Sequence, residues 1–316
     1  MSPEPHVSVV IPCFNGAQTI GYQLASLERQ VDSAPQFEVL VANNRSTDDL
    51  AGAVGPFQSR NLLSVRIVEA FGAAGASYAR NVGVREAKAE KILFCDSDDI
   101  VGSRFVEFGS ESLDDVPLFS GAAIATVTEQ FPSSIDEAWG MLDEPQACSP
   151  PTVRRESEGI PVVMGGAFGM LRSAYIDIGG FDQSFPRSGE DNDFGYRALR
   201  AGVSIADSEC VRVLYRTSSD DAQRMFKIGN ESRARALLVR RYDINPDDVF
   251  PGWRFAVPRA IAAALKSTVL RSGPDVDRAI RERWVASTRF VRAMATYSRR
   301  ERQPEPRIGL GLRPGD

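Results

Sequence analysis

The sequence predicts an α/β fold, with a mostly parallel central sheet flanked by helices and a helical C-terminal extension. Three observations carry this expectation. Apolar runs at residues 7–11 (VSVVI), 37–41 (FEVLV) and 92–95 (ILFC) have the length and composition of strands buried on both faces. Between them lie stretches of helical periodicity, so strand and helix alternate as in a doubly wound sheet. Past Ser218 the chain reads as helical and rich in arginine.

The first strand is expected to stop at Pro12, and Cys13-Phe14-Asn15-Gly16 to turn the chain. Residues 17–30 follow as a helix with Ile20, Leu24 and Leu27 on one face. The second strand ends in the polar turn 43–48, where Ser46 or Thr47 is expected to cap a helix starting near Asp48. A short strand at 65–68, a small-residue loop at 72–75 and a helix over 76–89 carrying Arg80 and Asn81 lead into the strand at 92–95. Beyond it, 103–112 reads as a helix, 122–128 as a strand, and 131–160 as irregular and Pro-rich. In 162–171 (VVMGGAFGML) the paired Gly165 and Gly166 mark a place where backbone approaches something closely. GEDND at 189–193 opens a helix that stops at Gly202, and 211–215 is a last strand. Helices are expected near 223–242, 255–270 and 276–300. These readings give a catalytic domain over 1–217, a helical extension over 218–301 and a disordered, Pro- and Gly-rich tail over 302–316.

The 316 residues carry a net charge of −5, unevenly spread: from Arg224 onward there are 20 Lys and Arg against 10 Asp and Glu. An acidic body with a basic attachment is implied. The sole histidine, His6, lies near the terminus, which excludes Ser-His-Asp triads, Cys-His dyads and His-rich zinc sites. Cys13, Cys95, Cys148 and Cys210 are scattered without a CxxC pair and read as small, near-core residues in a reducing compartment, with no disulfide frame. No secretory signal and no apolar run of membrane-spanning length is present. Gly72-Ala-Ala-Gly75 is not GxGxxG and there is no GxxxxGK[ST], so dehydrogenase and P-loop readings have no support.

The chemistry concentrates in ILFCDSDDI. An apolar strand ends abruptly in Asp96, Ser97, Asp98 and Asp99, and unpaired charges cannot follow it into a core. They belong at the strand's C-terminal edge, where open α/β sheets bind ligands. Asp96 and Asp98, two apart in extended backbone, share a face and could hold one divalent cation, although an acidic turn capping the next helix gives the same pattern. Asn43 and Asn44 offer amides to a base or ribose. Arg80 could face a diphosphate bidentately or pair with a nearby acid. Glu190, Asp191 and Asp193 form a second acidic cluster at a helix start, where the macrodipole alone favours acids. Two separated carboxylate sites, one for a metal and one for a general base, suit displacement at a phosphate-activated carbon.

Taken in order, VSVVIPCFNGAQTI, FEVLVANNRSTDD, ASYARNVGVREAKAEKILFCDSDDIV, IGGFDQSF and EDNDFGYRALRAG resemble a family 2 glycosyltransferase, over roughly two thirds of the chain. The resemblance implies a GT-A-type, Rossmann-like catalytic domain and inverting transfer from a nucleotide-sugar. It implies that Pro12 and Asn15 lie against the nucleotide, that Asn43 holds uracil or ribose, and that Arg80 approaches the nucleotide or its phosphates. Asp96 and Asp98 match the DXD metal motif, with Ser97 between them and Asp99 after them; Mg²⁺ or Mn²⁺ is the implied cofactor. Gly165 and Gly166 match the backbone that meets the transferred sugar. Asp191 matches the acceptor-deprotonating base, with Glu190 beside it.

Two departures matter. Asn43 stands where an aspartate is common, which leaves UDP and dTDP sugars both open. Leu214-Tyr215-Arg216 stands where many relatives place a histidine, so Arg216 becomes a candidate diphosphate ligand and metal dependence could be weaker than the motif suggests. The acceptor is expected to be a glycan, a lipid-linked or a small-molecule hydroxyl, and the location cytoplasmic. Arg254, Arg259, Lys266 and Arg271 suit peripheral contact with the inner face of a membrane, or equally a lid or dimer arm. Nucleic acid is not an expected partner, and an oligomer is left open. The alternatives from other classes are a catalytically silent nucleotide-sugar or glycan binder of the same fold, and a sugar-phosphate nucleotidyltransferase.

Overall fold

The computed structural model describes residues 4–154, 161–185, 188–270 and 273–316, apart from the side chains of 264, 266–270 and 274. Contacts divide the chain into two units, one of Met1–Gln183, Phe194–Thr217 and Arg307–Asp316, the other of Ser184–Asp193 and Ser218–Pro306.

The first unit is built in chain order from β1 (Val7–Cys13), α1 (Ile20–Glu28), β2 (Phe37–Asn43), α2 (Leu50–Arg60), β3 (Val65–Glu69), α3 (Ala76–Glu86), β4 (Lys91–Cys95) and β5 (Ile100–Val101). There follow α4 (Phe105–Asp115), β6 (Leu118–Val127), α5 (Ile135–Leu142), β7 (Thr152–Val153), β8 (Ala167–Leu171), α6 (Arg172–Asp177), α7 (Glu190–Arg200, of which Phe194 onward belongs to this unit) and β9 (Ala206–Thr217). Among the described residues the strands form one sheet in the order β3-β2-β1-β4-β8-β6-β9-β5, with β7 on β9. β3, β2, β1 and β4 are mutually parallel, β8 runs antiparallel to both β4 and β6, and β9 is parallel to β6. By paired positions the sheet is thus mostly parallel, as expected, with β8 reversed between β4 and β6, and β5 and β7 antiparallel to β9.

Alternation along the strands feeds two cores. Val7, Val9 and Ile11 of β1 and Leu93 and Cys95 of β4 pack with α1, α2 and α4, whereas Val10, Ile92 and Phe94 face α3 and an aromatic layer. In that layer Phe94 stacks on Phe168 at 4.1 Å and Phe181 on Phe194 at 4.5 Å, each pair worth about 1 kcal/mol beyond its burial.

Several local expectations need correction. Pro12 does not end β1 but pairs with Ala42 inside it. The ladder to β4 stops at Val10, so the missing N–H of Pro12 costs no bond on that side. The cap of α2 is Asp49, which accepts from Gly52 N, while Ser46 accepts from Asn15 N instead. Cys148 and Cys210 form a disulfide, with Cα atoms 5.4 Å apart, and only Cys13 and Cys95 are free. The 62-residue separation hid that pair. The short β7–β9 ladder, a few residues beyond Cys148, carries this irregular stretch onto β9. The cysteine pattern therefore no longer argues for a reducing compartment.

Residues 307–316, expected as a disordered tail, pack onto α3. Leu310 O accepts from Asn81 Nδ2 at 2.8 Å, Asp316 O from the Tyr78 hydroxyl at 2.8 Å, and Gly309 N donates to Gly179 O. Glycines that read as disorder signals serve as turns, with Gly309 at φ 81° and Gly311 at φ 90°.

The second unit contains α8 (Asp221–Tyr242), α9 (Pro246–Val249), α10 (Ala256–Leu270) and α11 (Pro274–Thr296). Its core holds Leu237, Leu238, Ala260 and Phe290, and Phe290 stacks on Phe250 at 4.8 Å. Asp220 caps α8 by accepting from Ala222 N. Arg271 and the Lys266 side chain lie outside the described residues. No helix among the described residues is long and apolar enough to cross a membrane.

Candidate active site

Strand direction brings the candidate residues of the first unit to one edge of the sheet. β1, β2 and β4 run parallel, so Cys13, Asn43 and Cys95 end them on the same side. β8 runs the opposite way with Ala167 opposite Cys95, which sets Gly165 and Gly166 beside Asp96. β5 pairs antiparallel with β9, Ile100 opposite Leu214, and the same register brings Arg216 to Asp98.

The three carboxylates differ. Asp96 bonds Arg80 Nη2 through Oδ1 at 2.8 Å, and the guanidinium is almost fully buried. Arg80 Nη2 also donates to Gly165 O at 3.1 Å, and the guanidinium carbon lies 5.3 Å from the Phe181 ring centroid. Arg80 Nη2 thus ties Asp96 to the Gly165 carbonyl at the strand edge. Its Phe181 platform is itself fixed: Asn81 accepts from Phe181 N and donates to Phe181 O, at 2.9 and 3.0 Å. Arg197 clamps the preceding turn through Ile178 O and Gly180 O, both at 2.6 Å. The blocks ARN, IGGFD and YRALR thus meet around one arginine.

Asp99 is wholly buried. Its Oδ1 accepts from Arg216 N at 2.9 Å, whereas Oδ2 has no hydrogen-bond partner among the described residues. Burial, and next the charge on Asp96, pushes its carboxyl up to about 8, so it keeps its proton at neutral pH. Asp98 opens to solvent, yet desolvation and then Asp96 still raise it, against the pull of Arg216. A Cβ on Gly166 would lie 2.9 Å from Asp96 Oδ2 and 3.1 Å from Asp99 Oδ2, so only glycine leaves the carboxylates undisturbed.

Arg216 lies against the acidic edge. Its Nε donates to Asp98 O at 3.0 Å and its guanidinium stacks on Phe131, 3.5 Å from the centroid. Both Nη groups keep their donors unspent among the described residues.

The β1 and β2 loops are laced together. Asn15, at φ 53°, accepts from Thr47 N at 2.8 Å, and Ala17 N donates to Asp48 at 2.8 Å. The Asn15 carboxamide oxygen is spent on this loop. Asn43 Oδ1 accepts from Ser46 N at 3.0 Å, which leaves its Nδ2 as a free donor among the described residues. Asn44 is buried and purely architectural, donating to Ala70 O and Ala73 O and accepting from Gly75 N. Ser97 lies beside the buried Cys13 thiol, whose pKa burial raises. Sequence reasoning missed Phe14, 63% exposed next to Pro12 and Asn15, and Phe131 under Arg216. An aromatic inside the Cys13-Phe14-Asn15-Gly16 turn was the sequence signal for the first; nothing local marks the second.

Glu190 and Asp191 start α7 and group with the second unit, where Asp193 accepts from the Tyr242 hydroxyl. Asp191 Oδ1 accepts from Asn192 N at 2.9 Å.

Among the described residues no group of three or more His, Cys, Asp or Glu side chains is arranged to hold a metal. The edge still fits a Mg²⁺- or Mn²⁺-type ion. Asp96 and Asp98 are hard oxygen donors, the orphaned Asp99 Oδ2 is buried next to them, and such ions complete their shells with water and phosphate oxygens.

A parallel sheet that reverses after β4, with an acidic edge at the reversal, is the architecture of GT-A glycosyltransferases. The sequence profile of glycosyl transferase family 2 matches residues 8–179, and the chain belongs to that family. The match ends before Asp191 and Arg216. The chain is 31% identical over 116 residues to the poly(ribitol-phosphate) beta-glucosyltransferase of Bacillus spizizenii, covering 35% of this chain and 18% of that protein. It is 35% identical over 106 residues to the validoxylamine A glucosyltransferase of Streptomyces hygroscopicus, covering 34% and 25%. The matched stretches thus span a quarter or less of these relatives. Among solved structures, the mannosyltransferase PcManGT of Pyrobaculum calidifontis, in complex with GDP-Man and Mn²⁺, aligns over 93% of this chain and 87% of its own, with TM-score 0.60 and 17% identity.

Proposed function

We propose that the chain is an inverting glycosyltransferase that moves a sugar from a nucleotide-sugar, UDP- or dTDP-linked, to an acceptor hydroxyl. The observation that carries the reading is the acidic edge of β4, with Asp96 fixed by Arg80 and Asp98 beside the half-used guanidinium of Arg216. In this reading Phe14 offers its exposed face to the base, and Asn43 Nδ2 donates to a base carbonyl or ribose oxygen. Arg216 takes the diphosphate through its Nη groups. Asp96 and Asp98 would hold Mg²⁺ or Mn²⁺, which when bound neutralises charge on the leaving diphosphate. Gly165 and Gly166 leave room for the sugar beside Asp96. Asp191 takes the proton from the acceptor hydroxyl as it attacks the anomeric carbon, so configuration inverts. The two relatives act on poly(ribitol phosphate) and on validoxylamine A, a polymer and a small molecule, so family membership leaves the acceptor class open.

Calorimetric titration with UDP, dTDP and GDP, each with and without Mn²⁺, tests the donor site. Metal-dependent binding of one nucleotide is expected, and binding of none sinks the proposal. Asp191→Asn should abolish transfer while donor affinity stays within about twofold. An unchanged rate removes Asp191 as the base.

A further inference from the structure

The basic helices of the second unit are unevenly neutralised. At one end of the α8–α11 pair the arginines have partners: Arg224 meets Glu282 at 2.6 Å, and Arg278 and Arg281 reach Asp221 at 3.6 and 3.5 Å. At the other end Arg233, Arg289, Arg292 and Arg302 make no side-chain ion pair or hydrogen bond among the described residues. All four line a single cleft of about 440 Å³. Its described lining includes no carboxylate, and no aliphatic side chain larger than Ala293 or Pro304. Glu301 and Glu305, neighbours in sequence, are not part of it.

Helix geometry explains the convergence. Arg289, Arg292 and Thr296 recur at the three- and four-residue spacing of one face of α11. Arg233 lies one turn beyond Gly229 on α8, where a Cβ would stand 3.6 Å from Arg289 Cγ. Arg233 of α8 thus lines the same groove as Arg289 and Arg292 of α11. Four guanidinium groups without an acid repel one another, and their forked donors suit phosphate oxygens. At about 30 Å³ per water the cleft has room for on the order of fifteen waters, well beyond one phosphate ion. A lipid surface fits less well, because none of the unit's exposed apolar side chains, Phe226, Phe255, Ile261, Leu265, Val276 and Trp284, lines the cleft.

We propose that this cleft binds successive phosphates of a phosphodiester-linked acceptor chain. The word acceptor rests on the glycosyltransferase reading; the phosphate site itself does not.

The test uses the full chain and a lipid-free glycerol-phosphate oligomer, titrated at two salt concentrations, with UDP plus Mn²⁺ titrated separately. Wild type is expected to bind the oligomer, more weakly at high salt. Arg289→Gln with Arg292→Gln should lower affinity about tenfold per arginine and leave UDP affinity unchanged. The corresponding double lysine variant should recover part of the binding and its salt dependence, which a merely structural role would not produce. No binding by wild type, equal binding by the Gln variant, or a preference for phosphatidylglycerol vesicles lost in that variant overturns the proposal. Failure to bind UDP, with oligomer binding intact, would instead remove the donor-site reading alone.

Discussion

Asp99→Asn isolates the buried carboxyl at the edge of β4. In the folded protein this group titrates near 8, against an ordinary value of 3.8, because burial and then Asp96 oppose its charge. The folded state therefore holds a proton that the unfolded chain releases, and stability falls as pH rises from about 4 to about 8, then levels off. From pH 5 to pH 8 the ceiling is about 4 kcal/mol, at about 1.4 kcal/mol per decade of proton concentration. Part of the repulsion is shared with Asp96 and relieved by Arg216, so about 2–3 kcal/mol is the working expectation. Asparagine keeps the oxygen that accepts from Arg216 N and cannot ionise. Urea unfolding followed by tryptophan fluorescence, with chelator present, should show wild type losing that stability between pH 5 and 8. The variant should be nearly flat, with a small residue from Asp98, which is raised as well. Parallel pH profiles in the two proteins would refute the assignment of a neutral Asp99.

Three other substitutions test separate parts of the structure. Asn44→Ala strands Ala70 O, Ala73 O and Gly75 N at a buried site, and should cost about 2–4 kcal/mol in urea unfolding; a change below about 0.5 kcal/mol would show the loop does not depend on it. Gly166→Ala puts a methyl 2.9 Å from Asp96 Oδ2, so metal-dependent nucleotide affinity should fall about tenfold with little change in melting temperature, and unchanged affinity would place the ligand elsewhere. Cys148→Ser opens a 62-residue loop and should lower stability by about 2–4 kcal/mol, as should reduction of wild type; peptide mapping that finds no Cys148–Cys210 link would dispose of the bond.

The strands and the acidic edge were legible because they rest on local rules. ILFC cannot end in DSDD unless a strand leaves the core there, and the structure puts Asp96 and Asp98 at that rim while Asp99 turns inward. Roles that depend on partners distant in sequence were not legible. For Arg80 the sequence offered a diphosphate or an acid as partner, and nothing local says that the acid is Asp96 or that Gly165 O shares the guanidinium. Asn43 and Asn44 looked alike, yet one keeps a free amide donor and the other is consumed by the β3–α3 loop. The Cys148–Cys210 bond and the docking of 307–316 share the same obstacle, since both join segments whose own composition signals irregularity.

The charge balance at the edge bears on whether the donor brings a metal. With Asp99 neutral, Asp96 and Asp98 face Arg80 and Arg216, two negative against two positive. A sugar-linked diphosphate adds one negative charge on each phosphate. Arriving alone, it leaves an unbalanced pair of charges beside carboxylates that are already partly desolvated. Arriving with one divalent cation, it leaves the balance unchanged, and the cation also satisfies the orphaned Asp99 oxygen, lowering the cost of ionising it. The proposed metal and the raised Asp99 pKa are then coupled: cation binding should release close to one proton at pH 7. Titrating Mn²⁺ in buffers of different ionisation enthalpy reads that number directly. A value near zero would mean the cation does not meet Asp99, and would shift diphosphate recognition toward Arg216.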